Sequence, residues 1–176
     1  MSEKRLPVIR PAEPKDAPRI SALLKEVQAL HAAGRPDIFK NGMQKYTDAD
    51  LVSKFGDPEK PIFVSVDESG QVTGYVFCIY QHTAENHQLH ERLTLYIDDL
   101  CVDARLRGQG IGRALYQYAV REAQSRGADS VTLNVWALNK DAAAFYDRCG
   151  MTPLKTLMEY RIPSGGGTSK ETGCPE

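Results

Sequence analysis

The stretch RLRGQGIG, residues 105–112, constrains this chain more than any other. It places three glycines and two arginines directly after a run that reads as strand and directly before one that reads as helix. A strand that ends in glycines and starts a helix presents backbone N–H groups that have no intrahelical partner, at the positive end of the helix dipole. Such a place suits a phosphate. A side chain at Gly108 or Gly110 would hold a ligand away from the backbone, and turns of this kind ask for positive φ.

The rest of the chain supplies a frame for that loop. Val8 and Ile9 start a short strand, followed by a proline-rich turn and a helix with Asp16 as its cap. Ile20, Leu23, Leu24, Val27 and Leu30 recur at helical spacing as its core face. Residues 31–60 mix turn formers with scattered apolar residues and a short helix near 48–55, a covering segment of the kind that shapes a pocket. PIFVSVD and VTGYVFCIYQH form a hairpin turning at ESGQ, and ERLTLYIDDLCVD alternates as the next strand. Beyond the glycine loop, a helix stops at Gly127, ADSVTLNVWAL is a strand, NKDAAAFYDRCG is a helix ending at Gly150, and MTPLKTLMEYRI returns as one or two strands. The order is strand, helix, helix, three strands, helix, strand, helix, strand. That is an α/β chain, a meander followed by crossover units. A length of 176 residues suits one domain, expected over residues 1–163, with the apolar-poor residues 164–176 as a flexible tail.

Among familiar phosphate loops, a Walker loop requires Lys and Ser or Thr after its last glycine, whereas Arg113 and Ala114 follow Gly112. The dinucleotide fingerprint spaces its third glycine differently and follows the first strand of a parallel sheet. The match to R-x-x-G-x-G through Arg105, Gly108 and Gly110 is close, and it resembles the acyl-CoA pyrophosphate loop of the GNAT superfamily of N-acetyltransferases. YIDDLCVD stands where that superfamily has the preceding strand. NVWALNKDAAAFYDRCGM resembles its second motif, with Asn139, Phe145, Tyr146 and Gly150 in place. The resemblance extends over residues 93–162.

It implies a mixed, mostly antiparallel central sheet flanked by helices, acetyl-CoA as acetyl donor, and no metal. The main-chain amides of Arg107, Gly108, Gln109, Gly110, Ile111, Gly112 and Arg113 would hold the pyrophosphate. The strand before the loop would splay from its neighbour, so that Leu100, Cys101 and Val102 pair with the pantetheine through their backbone. Asn139 would cap the last helix and touch the pantetheine. Tyr146 would donate a hydrogen bond to the departing thiolate. An acidic residue at the place of Asp98 would be the base, with Asp99 structural or substrate-orienting, and a backbone amide near Cys101 the oxyanion donor. Neighbouring strand residues face opposite sides, so only one of the two aspartates is expected to look into the site. Cys101 and Cys149 are assigned to packing, since direct attack in a ternary complex needs no acyl-enzyme.

The acceptor is expected to be a primary amine on a small molecule or a single exposed amine of a protein, with LHAAGRPDIFKNGMQKY and QHTAENHQLHERL lining its pocket. Two other readings use the same loop: a non-catalytic acetyl-CoA sensor that needs neither Asp98 nor Tyr146, and a nucleotide site that takes NAD but not CoA. A net charge of -1 from 22 basic and 23 acidic residues offers no face for nucleic acid. Apolar runs fall short of the roughly 18 residues a membrane helix needs, and the start, MSEKRLPVIRP, lacks a signal peptide's apolar core, so a cytoplasmic, membrane-free protein is expected. The four cysteines are widely spaced, and His82, His87 and His90 do not share a face, which argues against metal. Many members of the superfamily pair through their late strands, which leaves a homodimer possible.

Overall fold

A computed structural model describes residues 7–43 and 45–163, and the expected tail, 164–176, lies outside them. Five strands form one sheet in chain order: β1 (Val8–Pro11), β2 (Ile62–Val66), β3 (Val72–Thr83), β4 (Arg92–Val102) and β5 (Ser130–Leu133). Every pairing is antiparallel except that of β4 with β5. This is the mixed, mostly antiparallel sheet that the resemblance implied.

Alternation along the strands divides the interior in two. Val64, Val66, Tyr75 and Phe77 face α1 (Ala17–Gly34) and α2 (Asp48–Lys54), where Ile20, Leu23, Leu24 and Leu51 are buried. Phe63, Val76, Cys78, Leu95 and Ile97 face α3 (Ile111–Ser125). That helix buries Ile111, Leu115, Ala119 and Ala123, a four-residue repeat that fixes one face of the helix on the sheet. Leu115 is wholly buried, which is worth about 2 kcal/mol. α4 (Lys140–Arg148) follows β5 and brings Phe145 close to Gly112.

Three local expectations are corrected. Asp16 does not cap α1 with its side chain. Its carboxylate instead accepts from Arg10 at 2.7 and 3.0 Å and from the Glu13 amide at 2.8 Å, because a guanidinium on β1 is a stronger donor than the helix amides. Leu30 is exposed rather than core, since α1 runs on past the sheet it covers. Residues 151–163 form no strand. They have no ladder partner, and Leu154, Leu157, Met158, Tyr160 and Ile162 are exposed. Ion pairs of Glu159 with Arg35 and of Arg161 with Asp37 hold that segment instead.

Two irregularities position the site. The β3–β4 register passes from Phe77 opposite Asp99 to Cys78 opposite Ile97, so Asp98 is the extra residue of a β-bulge. The pairing of β4 with β5 stops at Ile97 opposite Leu133. From Asp99 to Val102, β4 is paired to β3 on one side, and from 98 to 102 it has, among the described residues, no strand on the other.

Candidate active site

The glycine loop leaves β4 through a short 3-10 turn (Ala104–Leu106) and enters α3 at Gly110. Gly108 and Gly110 have φ of +75° and +89°, the left-handed region that only glycine enters without strain. A Cβ there would meet nothing within 4 Å, so the requirement is conformational, and the side toward a ligand stays open. Among the described residues, none of the amides of residues 107–113 donates to a protein acceptor, while the next one, Ala114 N–H, bonds the Gly110 carbonyl at 3.0 Å. Seven consecutive donors, those of Arg107 and Arg113 among them, stand where the loop enters α3.

A buried carboxylate anchors this loop. Asp103 accepts from Arg105 N–H at 3.0 Å and from the Arg105 guanidinium at 3.1 and 2.8 Å, and Arg19 of α1 donates to it as well. Hydrogen bonds from Arg105 and the adjoining positive charges hold its carboxyl well below the usual carboxylate range. The arginine that opens the motif is therefore engaged in shaping the loop.

At the other end of the unpaired edge, the bulge turns Asp98 to the same side as Asp99. Both line a cavity of about 350 Å³ with His31 of α1, Phe39 and Lys45 of the α1–α2 connection, and Trp136. The expectation that only one aspartate could look inward is overturned, because strict alternation fails at a bulge. Lys45 Nζ lies 3.0 Å from Asp98 Oδ2. The Tyr75 hydroxyl donates to Asp99 Oδ2 at 3.1 Å. Burial raises the Asp99 pKa, with the Lys45 charge and the Tyr75 bond opposing. Burial lowers the Lys45 ammonium, but its bond to Asp98 and the surrounding negative charge outweigh that, so its pKa is raised. A wider concavity of about 530 Å³ between α1 and α2, lined by Pro18, Lys25 and Asp48, touches neither the carboxylates nor the loop.

Tyr146 projects from α4 with its ring 4.9 Å from Phe145 and 6.2 Å from Tyr116. Burial and the Asp99 charge raise its pKa, so it is a neutral phenol throughout the physiological range. The Asn139 side chain accepts from Ala142 N–H at 3.1 Å, the expected cap of α4. Leu100, Cys101 and Val102 lie on the unpaired edge. Burial pushes the Cys101 and Cys78 thiols up to about 12, which leaves neither nucleophilic at neutral pH. Among the described residues no group of three His, Cys, Asp or Glu side chains could hold a metal ion. His82 pairs with Glu59, and among the described residues no helix is long and apolar enough to cross a membrane.

Of the two segments expected to line the pocket, only the first does so. QHTAENHQLHERL joins β3 to β4 at the end remote from the bulge, because the pair Thr83–Arg92 closes the ladder at the end opposite to the site. Sequence reasoning assigned no role to Trp136, the chain's one tryptophan, although it lies three residues before Asn139. Lys45 and His31 carried no signal beyond membership of a covering segment.

The chain resembles known acetyltransferases. Over 101 residues it is 33% identical to the peptidyl-lysine N-acetyltransferase YjaB of Escherichia coli, spanning 57% of this chain and 55% of that protein. Over 64 residues it is 41% identical to the mycothiol acetyltransferase of Beutenbergia cavernae, 36% of this chain and 22% of that protein. The match thus spans about half of the first relative and about a fifth of the second. The crystal structure of a mutant of the BH1408 protein from Bacillus halodurans superposes with a TM-score of 0.84 at 29% identity, covering 88% of this chain and 99% of that one. An aminoglycoside acetyltransferase from an uncultured soil sample, crystallised with sisomicin, shares the fold at a TM-score of 0.63 and 17% identity, covering 90% and 96%. The acetyltransferase (GNAT) family matches residues 24–151, a span that holds the carboxylates, the unpaired edge, the glycine loop and Tyr146. By that match, and by the fold it shares with solved relatives, this chain is a member of the GNAT family of acetyltransferases.

Proposed function

We propose that the protein transfers an acetyl group from acetyl-CoA to a primary amine, on a small molecule or a single exposed site of a protein. The observation that carries this reading is linear. One unpaired strand edge begins at two carboxylates in a cavity and ends at seven free amides. Residues 107–113 hold the diphosphate of the donor, and the backbone of Leu100, Cys101 and Val102 pairs with its pantetheine arm as an added strand would. Asn139 and Tyr146 flank the arm where it reaches the thioester.

The residues then divide the work. An alkylamine of pKa ~10.4 is neutral in only about one molecule in a few thousand at pH 7, a cost of roughly 4.6 kcal/mol. Asp98 binds the ammonium and takes its proton, and its open side lets that proton pass on to water. Asp99 deepens the negative potential around the amine. Tyr146 keeps its proton and points an O–H donor at the sulfur as charge builds there. Full proton transfer from an ordinary phenol to a thiolate is uphill by about 2 kcal/mol, and more so for a phenol raised by burial. The amine attacks the thioester directly, consistent with cysteine thiols that stay protonated.

Calorimetry with CoA, followed by thiol release from acetyl-CoA across a panel of amines, tests the reading. Binding and turnover are expected, with Tyr146→Phe and Asp98→Asn each lowering kcat/KM by about a hundredfold. Failure of CoA to bind would overturn it. Binding without turnover of any amine would leave a sensor.

A further inference from the structure

Lys45 sits where an acceptor should. Its ammonium is 3.0 Å from Asp98 Oδ2 and lines the same cavity as Asp99 and Trp136. Its backbone is held in register from the following residue. Tyr46 packs on the α1-side core with its ring 6.3 Å from Phe77, and Thr47 caps α2 by accepting from Asp50 N–H. The pair itself is weakly bound: both side chains are about one-third exposed, 38% and 30%, and such pairs contribute at most about 1 kcal/mol. A flexible four-carbon stem can therefore leave Asp98 and return at little cost. The lysines on the outer surface have other surroundings, as Lys15 does against Glu13.

We propose that Lys45 is itself a substrate: with acetyl-CoA bound and no other amine in the cavity, the protein acetylates Lys45 Nζ in cis. The inference rests on reading this cavity as the acceptor site. The ammonium gives one proton to Asp98, and its freed lone pair forms the N–C bond to the thioester carbonyl carbon. The C–S bond breaks, and its electron pair leaves as the CoA thiolate, hydrogen-bonded by Tyr146. As the C–S bond breaks, the nitrogen gives up a second proton to water. Of the two protons released, one reaches the thiolate through water and the other leaves to solvent, giving CoA thiol, a neutral amide on Lys45 and the Asp98 carboxylate restored. Tethering makes the step unimolecular, which favours it over encounter with amines in solution until these are abundant. The product amide carries no charge, so the bond to Asp98 that competes with an incoming ammonium is lost.

The test uses the full chain, isotope-labelled acetyl-CoA and no added amine, read by intact mass and peptide mapping. One labelled acetyl group on Lys45 is expected, appearing at a first-order rate that does not change with protein concentration. Asp98→Asn should slow it by about a hundredfold, and Lys45→Arg should leave the protein unlabelled. Label spread over surface lysines such as Lys15 and Lys60, a rate that scales with protein concentration, or an Asp98→Asn rate equal to wild type would overturn the inference. An unlabelled Lys45 overturns it too, and the amine panel then separates the failures. Turnover of added amines leaves acetyl transfer standing, whereas absence of CoA binding defeats both.

Discussion

Asp98 and Asp99 share one cavity because the β3–β4 ladder slips by a residue between Phe77 and Cys78. The two carboxylates end in different surroundings. Asp98 is open to solvent and bonded to Lys45, while Asp99 is held by Tyr75 and raised in pKa by its burial. One strand irregularity thus sets a carboxylate open to solvent beside Lys45 and, behind it, a buried one.

That buried charge works against folding. Asp99 ionises at higher pH in the folded protein than in the unfolded chain, so its carboxylate penalises the fold at neutral pH. The penalty fades as pH falls toward the ordinary value of ~3.9. Asp99→Asn keeps an acceptor for the Tyr75 hydroxyl and removes the charge, so it should stabilise the protein at pH 7 by about 1 kcal/mol while lowering turnover. Thermal melts at neutral and acid pH check this: a neutral-pH midpoint equal to or below wild type counts against it.

Asp103 has the opposite sign. Its depressed pKa means that its bonds to Arg105 and Arg19 stabilise the fold above the ordinary carboxylate range, and are lost as pH falls through the folded value. Asp103→Asn should cost about 2 kcal/mol at neutral pH and nearly nothing in strong acid. Because the carboxylate fixes the loop and not the reacting atoms, KM for acetyl-CoA should rise more than kcat falls. A pure kcat effect would refute the assignment.

Gly110 tests the loop's backbone without a steric confound. A methyl group there meets no atom, yet φ is +89°. Gly110→Ala should cost about 1 to 2 kcal/mol in stability, or shift the turn and weaken CoA binding by about tenfold. Calorimetry with CoA beside a chemical melt would show which, and an unaffected variant would argue that the loop tolerates rearrangement.

Gly74 on β3 meets β4 from the opposite face. A Cβ added there would lie 2.7 Å from the Cys101 carbonyl oxygen and 3.1 Å from Leu115. Backbone cannot step aside as a side-chain tip can, so Gly74→Ala should displace the strand near Cys101 and destabilise the protein by about 2 kcal/mol. CoA affinity should fall with it. Wild-type stability and affinity together would show that the edge at Cys101 does not bear on the donor.

Much of this was legible from residue order. The hairpin, β4, α3 and α4 carry strong period and stop signals, and the glycine loop is marked by residues that no other local structure requires. What stayed hidden is non-local. Nothing in YIDDLCVD announces the bulge, which depends on the register with β3. Trp136 and Lys45 come together only through the crossover and the α1–α2 connection. MTPLKTLMEYRI has the alternation of a strand, but a strand also needs a neighbour, and four-residue β5 does not supply one.

The early end of β5 has a thermodynamic corollary. A linear molecule laid along residues 98–102 would complete the sheet as an interior strand does, so folding and donor supply become linked quantities. At a free concentration a hundred times its Kd, such a ligand adds about 2.7 kcal/mol to the folded state. If acetyl-CoA is that ligand, the protein's resistance to heat and to proteolysis would rise with the donor's free concentration.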